Sequence, residues 1–249
     1  MSLVVVLVEP AGPLNVGSVA RLCANFAIDE LRLVAPRCDH LGEEARLMAV
    51  HGDGMLERAR LFPDLAAALA DCARVVATSG RIEAEGLPLS PAEQAFTWLG
   101  QGSPQGGASS GAPSALVFGR EDRGLTNQEL LQAGRLVRLS TGEAYASLNL
   151  SHAVAICLHD WHRLQGGSKG TATAATDQPS PSPRGPLEDT LADAEQLLLE
   201  VGFLYPHTAT ARMAKLRALL QRAQVRSPEV ALLRGMVRQL RWATTRRSP

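Results

Sequence analysis

Over residues 1–164 the sequence alternates between short apolar runs and stretches with helical spacing, and this alternation restricts the fold more than any other feature. Leu3–Val8, Leu31–Val34, Arg74–Thr78, Ala115–Phe118 and Leu136–Leu139 have the length and apolar content of short buried strands. Between them, Val16–Phe26, a stretch near Glu43–Met48, Asp64–Asp71 and Asn127–Ala133 carry helical patterns. Strands alternating with helices imply an α/β domain on a mostly parallel sheet. A ligand of such a sheet is expected near the carboxyl ends of its strands.

Two stretches break the alternation. Gly100–Ser114 is rich in Gly, Ser and Pro and reads as a mobile surface loop ahead of the Ala115 strand. Gly166–Pro186 has linker composition, so the chain divides into a domain over 1–164, a flexible linker over 165–186 and an extension over 187–249. The extension carries three helical patterns, about Leu187–Val201, Ala209–Ala223 and Pro228–Trp242, with Ser227 as N-cap and Pro228 at the first helical position of the last.

The formal net charge is zero, but it is unevenly spread. From Phe203 onward there are ten basic residues and one acidic residue, Glu229, leaving 15 basic and 24 acidic residues in the rest of the chain. Such a split marks a basic module for an anionic partner, against the plainer reading of an Arg-rich solvated helix surface. Aromatics make up only 4% of residues, so contact with RNA would lean on charge and backbone rather than stacking. No apolar run approaches the roughly 20 residues of a membrane helix, and Leu3–Val8 reads as a first strand, not a signal peptide. The cysteines Cys23, Cys38, Cys72 and Cys157 are scattered without a C-x-x-C pair, which argues against a metal site and a disulfide framework and makes a reducing cytoplasm the expected setting.

Polar residues gather at strand ends. Glu9 through Arg21 is a strand end, a Pro/Gly turn and a helix opening near Asn15, where a plain N-cap would account for Asn15 and solvent for Arg21. An apolar strand runs into Gly119-Arg120-Glu121-Asp122-Arg123-Gly124; Gly119 would let a ligand approach the backbone, while Glu121 and Arg123 could be a surface ion pair. Thr126-Asn127-Gln128-Glu129 is a capping box. Tyr145 through Val154 enters a helix ending near Leu164, with Ser147 able to cap it and His152 read as structural. Thr78-Ser79-Gly80-Arg81 lies at a further strand end. No G-x-G-x-x-G follows a strand, no P-loop occurs, and G-x-S-x-G spacing is found only within the two low-complexity stretches, never as an elbow after an apolar strand, so dinucleotide, NTP and serine-hydrolase readings lack their fingerprints.

In this order, VLVEPAGPLNVGSVARLCANF, LVFGREDRGLTNQEL and YASLNLSHAV resemble the three motifs of the SpoU (TrmH) RNA 2′-O-methyltransferases, and most closely their TrmJ branch. TSGR is similar to a TSxR element of that branch, and VGFL, KLRALLQRA and LLRGMVRQL resemble its helical extension. The resemblance spans nearly the whole chain apart from the two low-complexity stretches.

The resemblance implies a deep trefoil knot within about Ala115–Leu164, which sequence pattern could not give. It implies S-adenosyl-L-methionine bound in a bent shape at Thr78, Ser79, Gly80, Gly119, Leu139, Ala146, Ser147 and Leu148, with Leu139 and Leu148 suited to an apolar adenine slot. It places Arg21 at the ribose 2′-hydroxyl, where a guanidinium that hardly deprotonates would orient a phosphate and stabilise the developing alkoxide. Asn15 would anchor the same region, Glu121 would hold Arg21 or the ribose, and Ser147 and Asn149 would organise the knot loop. No metal is implied. The family's homodimers share residues across the active site, and the TrmJ branch modifies position 32 of the tRNA anticodon loop, with the basic tail gripping tRNA phosphates. The alternatives are a ribosomal-RNA 2′-O-methyltransferase of the same fold and an RNA-binding protein without catalysis; the helical tail argues against the first and the joint presence of Arg21, Glu121, Ser147 and Asn149 against the second. A nucleotide-dependent metabolic enzyme would need a phosphate loop that the chain lacks.

Overall fold

The computed structural model describes residues 2–80, 89–101, 112–142, 147–167 and 181–245. Its strands are β1 (Leu3–Val8), β2 (Glu30–Val34), β3 (Arg60–Phe62), β4 (Arg74–Thr78), β5 (Leu89–Ser90), β6 (Ser114–Phe118) and β7 (Arg135–Val137). They form one sheet in the order β3-β2-β1-β6-β4-β7-β5, and every pairing is parallel. The first-domain helices are α1 (Pro13–Asn25), α2 (Glu43–Ala49), α3 (Asp53–Glu57), α4 (Leu65–Leu69), α5 (Ala92–Gly100), α6 (Asn127–Leu130) and α7 (Leu150–Gly167), with a 3-10 turn at Val50–Gly52.

β1 shows why the sheet sits between two helical layers. All six of its residues are buried, and they alternate: Leu3, Val5 and Leu7 enter a core with residues of α1, α2, α5 and α7, while Val4, Val6 and Val8 enter a core with residues of α4 and α6. The layer over the first core is drawn tight at Gly17, where a Cβ would stand 2.1 Å from the Ala45 carbonyl oxygen of α2. Any side chain there would push the two helices apart.

The five expected strands are present, with β7 displaced: it ends at Val137, so Arg138 and Leu139 leave the ladder. β3 and β5 carry too little apolar pattern to stand out, and α5 lies in a stretch for which no element was expected. The helix expected from Val16 starts at Pro13, because Pro suits a first helical position, where no N–H is needed. Gly100 closes α5 and Ser114 opens β6; residues 102–111 of the low-complexity stretch between them lie outside the described residues.

The extension folds as α8 (Arg184–Glu200), α9 (Pro206–Ala223) and α10 (Ser227–Thr245) around its own core of Leu187, Leu191, Leu204, Ala209, Met213 and Val230. α8 begins three residues earlier than the expected Leu187 and docks at once: the Gly185 N–H donates to the Ala70 carbonyl at 2.8 Å. Ser182, just ahead of it, donates its N–H to Val225 O at 2.8 Å. Ser227 is the first residue of α10 rather than its cap, one position from the expectation. The docking face sits by Ala73 and Gly134, which precede β4 and β7, so the extension rests at the amino ends of the strands.

Candidate functional site

A cavity of about 480 Å³ opens at the carboxyl ends of β4, β6 and β7, a volume suited to a cofactor or small ligand. Thr78, Ser79 and Gly80 reach it from β4, Gly119 from β6, Leu139 from the segment after β7, and Ser147 and Leu148 from the approach to α7. Seven of the eight positions singled out for a cofactor thus line one space; Ala146 lies outside the described residues, as do Arg81 and Tyr145. Leu125, Leu150 and Ala153 add apolar wall. The floor is pinned by the sheet: the Thr78 hydroxyl donates to Val117 O at 3.2 Å and the Ser79 N–H to Val137 O at 2.9 Å.

The loop after β6 folds back on itself. Arg120 and Gly124 exchange backbone hydrogen bonds of 3.3 and 2.9 Å, and Gly124 takes a left-handed φ of 68°. A Cβ on Gly119 would come within 2.3 Å of the Gly124 carbonyl carbon. Gly119 is therefore required by the returning loop itself, and it also lines the cavity.

Arg120 clamps that loop. Its guanidinium, 9% exposed, bonds both carboxylate oxygens of Glu129 at 2.9 Å and also meets Glu9 at the end of β1. Glu129 closes the capping box of α6 with Thr126, as its spacing predicts. Glu9 has a left-handed φ of 46°, unusual for a residue with a side chain, and also pairs with Arg37. The hydrogen bond and charge of Arg120, together with Arg37, outweigh burial and hold the Glu9 carboxyl at about 2. Glu9, Arg120 and Arg138, the last two of them lining residues, had no role assigned from sequence; a charged residue within two positions of the end of an observed strand is the feature they share.

Three distant segments are joined by polar side chains at the rim. Glu121 accepts the N–H groups of Ala11 and Gly12, both at 3.1 Å, and the Asn15 amide at 3.2 Å. Gly12 is the N-cap of α1 and has no side chain to serve, so Glu121 supplies the anionic cap from another element. Asn15 lies inside the first turn and is not itself the cap. Burial pushes the Glu121 carboxyl up, but these donors outweigh it and leave it below the usual carboxylate range. Asn15 Oδ1 in turn accepts from Asn149 Nδ2 at 3.0 Å. Asn149 Oδ1 accepts the Ser151 N–H at 2.9 Å and its hydroxyl at 2.7 Å, so Asn149, not Ser147, caps α7.

Arg21 stands apart. It is exposed on α1, does not line the cavity, and its side chain has no hydrogen bond or ion pair among the described residues. Its backbone is held by close packing, since a Cβ on Gly52 would come within 2.9 Å of the Arg21 Cα. Glu121, expected to hold Arg21 or the ribose, accepts within its own chain from Ala11, Gly12 and Asn15. Cys23, Cys72 and Cys157 are buried, with thiols pushed up to about 12 chiefly by desolvation, so they are poor nucleophiles. No His, Cys, Asp and Glu cluster among the described residues could hold a metal ion. No described helix is long and apolar enough to cross a membrane.

An all-parallel sheet with a cavity at its strand ends, rimmed by segments that converge from three places in the chain, defines a ligand-binding α/β domain with a helical appendage. Residues 2–159 match the family described as SpoU rRNA Methylase family, and the chain belongs to that family. Residues 187–248 match the domain described as tRNA methyltransferase TrmJ, C-terminal domain. The chain is 34% identical over 236 residues to the tRNA (cytidine/uridine-2′-O-)-methyltransferase TrmJ of Cronobacter sakazakii, covering 94% of this chain and 93% of that one. It is 38% identical over 160 residues to the tRNA (cytidine-2′-O-)-methyltransferase TrmJ of Methanocaldococcus jannaschii, covering 63% and 65% of the two chains. The crystal structure of TrmJ from Z. mobilis ZM4 superposes with a TM-score of 0.83 at 30% identity, over 97% of this chain and all (100%) of that one.

Proposed function

We propose that the protein methylates a ribose 2′-hydroxyl in tRNA, at position 32 of the anticodon loop on cytidine, uridine or both, using S-adenosyl-L-methionine. The observation that carries this reading is the convergence of the three motifs on one cavity, joined by the Glu121–Asn15–Asn149 chain of hydrogen bonds. Similarity to TrmJ enzymes from end to end, extension included, supports tRNA over ribosomal RNA.

The residues present fit the cofactor. Leu139, Leu148 and Leu150 offer an apolar slot for adenine, while the strand ends at Ser79 and Gly119 present backbone groups beside it. When bound, the cofactor supplies an electrophilic methyl group on a sulfonium. The chain's own part is to position the ribose and stabilise negative charge on its oxygen. Arg21 is suited to that as a permanent cation. Because it lies away from its own chain's cavity, we assign it to the cavity of a second protomer in a homodimer. Ser147 and Asn149 hold the approach to α7, within the segment we assign to a trefoil knot. Thr78, Ser79, Gly80, Gly119, Leu139, Ala146, Ser147 and Leu148 form the cofactor site, and the basic extension grips tRNA phosphates. A cytoplasmic setting follows from the substrate.

A structure concerned with 2-OH methylation of C/U34 on tRNA also resembles this chain, with a TM-score of 0.52 at 26% identity over 67% of it. The deciding experiment incubates purified protein with labelled cofactor and unmodified tRNA and maps the methylated nucleotide. Label at position 32 is the expected result; label at 34, on ribosomal RNA only, or nowhere overturns the assignment.

A further inference from the structure

The turn between α8 and α9 carries exposed aromatic rings that the methyl-transfer site does not use. With aromatics so sparse, RNA contact was expected to lean on charge alone. Yet of the chain's five Phe and two Tyr, one of each stands exposed here, inside the basic extension. Leu204 is 3% exposed and belongs to the extension's core, while Phe203 and Tyr205 on either side of it are 62% and 56% exposed. Scattered exposed apolar residues are ordinary, but large rings held together at one turn are the informative case.

The backbone fixes this turn firmly. Gly202 takes a left-handed φ of 76°, and the N–H groups of Phe203 and Leu204 both donate to the Leu198 carbonyl at 2.9 Å. Tyr205 is extended, with φ −109° and ψ 144°, and its carbonyl accepts the N–H groups of Thr208 and Ala209 at 2.9 Å as α9 begins. The His207 ring lies against Tyr205, with centroids 5.9 Å apart and 22° between planes. Rings presented from so ordered a backbone cost a partner little in lost freedom.

The charge beside the rings says what stacks on them. Arg212 Nη1 donates to the Phe203 carbonyl at 3.2 Å, which brings a guanidinium to the turn, and Lys215 follows about one helical turn on. Neither forms an ion pair among the described residues. No acidic residue occurs between Phe203 and Ser227, and Glu200, the nearest before them in sequence, pairs with neither cation. A second copy of this face would set like charge against like, and an aliphatic partner would leave the cations unanswered. An unpaired nucleotide answers both features, its base on the rings and its phosphate on the guanidinium.

We propose that Phe203, Tyr205 and His207 form a stacking platform for an unpaired nucleobase of RNA, with Arg212 holding that nucleotide's phosphate. The proposal rests on the tRNA reading and deepens it: the extension engages a base outside the methylation site as well as gripping phosphates.

The test uses the full-length protein and unmodified tRNA, with affinity measured at several salt concentrations. Phe203→Ala and Tyr205→Ala are each expected to weaken binding about tenfold. The loss is the same at every salt concentration, because a ring releases no counterions. Arg212→Ala is instead expected to lower the slope of log affinity against log salt by about one. Tyr205→Trp should keep the affinity and report the stack directly, its added fluorescence quenched when tRNA binds. Wild-type affinity in both alanine variants, or an unquenched tryptophan, overturns the proposal. So does a loss of affinity that accompanies a lower unfolding midpoint or a broken dimer in sedimentation, which makes the rings a protein contact. Mapping of the methylated nucleotide keeps the two readings apart. Wild-type protein that methylates tRNA while both alanine variants bind it normally loses the platform alone, whereas wild-type protein that binds no tRNA loses both.

Discussion

Glu121 holds the turn before α1 by accepting two backbone N–H groups and the Asn15 amide, and it does so as a carboxylate. Glu121→Gln keeps the length and one acceptor but places an NH2 against N–H donors. It is expected to cost about 1 kcal/mol of stability, the usual worth of an anion at a helix N-terminus; denaturant titration measures this. The pH dependence has a definite sign. Glu9 falls from an ordinary 4.5 to about 2 in the folded chain, so the stability it lends is complete above 4.5 and is lost as pH falls toward 2. Glu121 and Glu129 are lowered too and act in the same direction. Glu9→Gln should therefore flatten the acid limb of an unfolding-midpoint profile, and an unchanged limb would remove Glu9 from the account. Arg21 gives the sharpest functional expectation: Arg21→Ala is expected to abolish methylation while S-adenosylhomocysteine still binds, because Arg21 lies outside the segments assigned to the cofactor. Arg21→Lys should rescue poorly, lacking the planar fork. Wild-type turnover by the alanine variant would remove Arg21 from the mechanism.

Among elements, the loop after β6 is the most constrained. Gly119 has no room for a methyl group against Gly124 and Leu125. Gly119→Ala must displace the loop that carries Glu121 and Arg120, so titration calorimetry should show cofactor affinity reduced at least tenfold. Sequence showed this element well, because an apolar run stopping at Gly119 before charged residues and the Thr126–Glu129 capping box are both local signals. Glu9–Arg120 was invisible, since the partners lie 111 residues apart and only the β1–β6 pairing brings them together. The cap of α7 was assigned a residue of the right type two positions early. Asn149 prevails because its two-ended amide serves α7 and Asn15 at once. β3 and β5, three and two residues long, depend on their neighbours for order and leave no periodicity to read.

At the scale of the whole molecule, the charge split survives folding. Arg212, Arg222, Arg234 and Arg238 lie on exposed surface of the extension. Removing residues 181–249 is expected to weaken tRNA binding and to reduce the slope of log affinity against log salt by roughly three to five units, one per lost phosphate contact. Affinity measured at several salt concentrations, with dimerisation checked by sedimentation, decides this; an unchanged slope in a dimeric truncation would take the extension off the RNA surface. Composition revealed the basic module, but not its seat, because the contact of Gly185 with Ala70 and the hollow lined by both Arg184 and Trp98 join distant parts of the chain. That seat has a consequence for how a site on RNA is chosen. The extension is fixed at one end of the strands and the cavity opens at the other, with a five-residue strand such as β4, roughly 17 Å long, between them. Extension and cavity are thus separated by a rigid length of sheet. In the proposed tRNA reaction the molecule works as a gauge, selecting its nucleotide by distance from the gripped backbone as well as by the base presented.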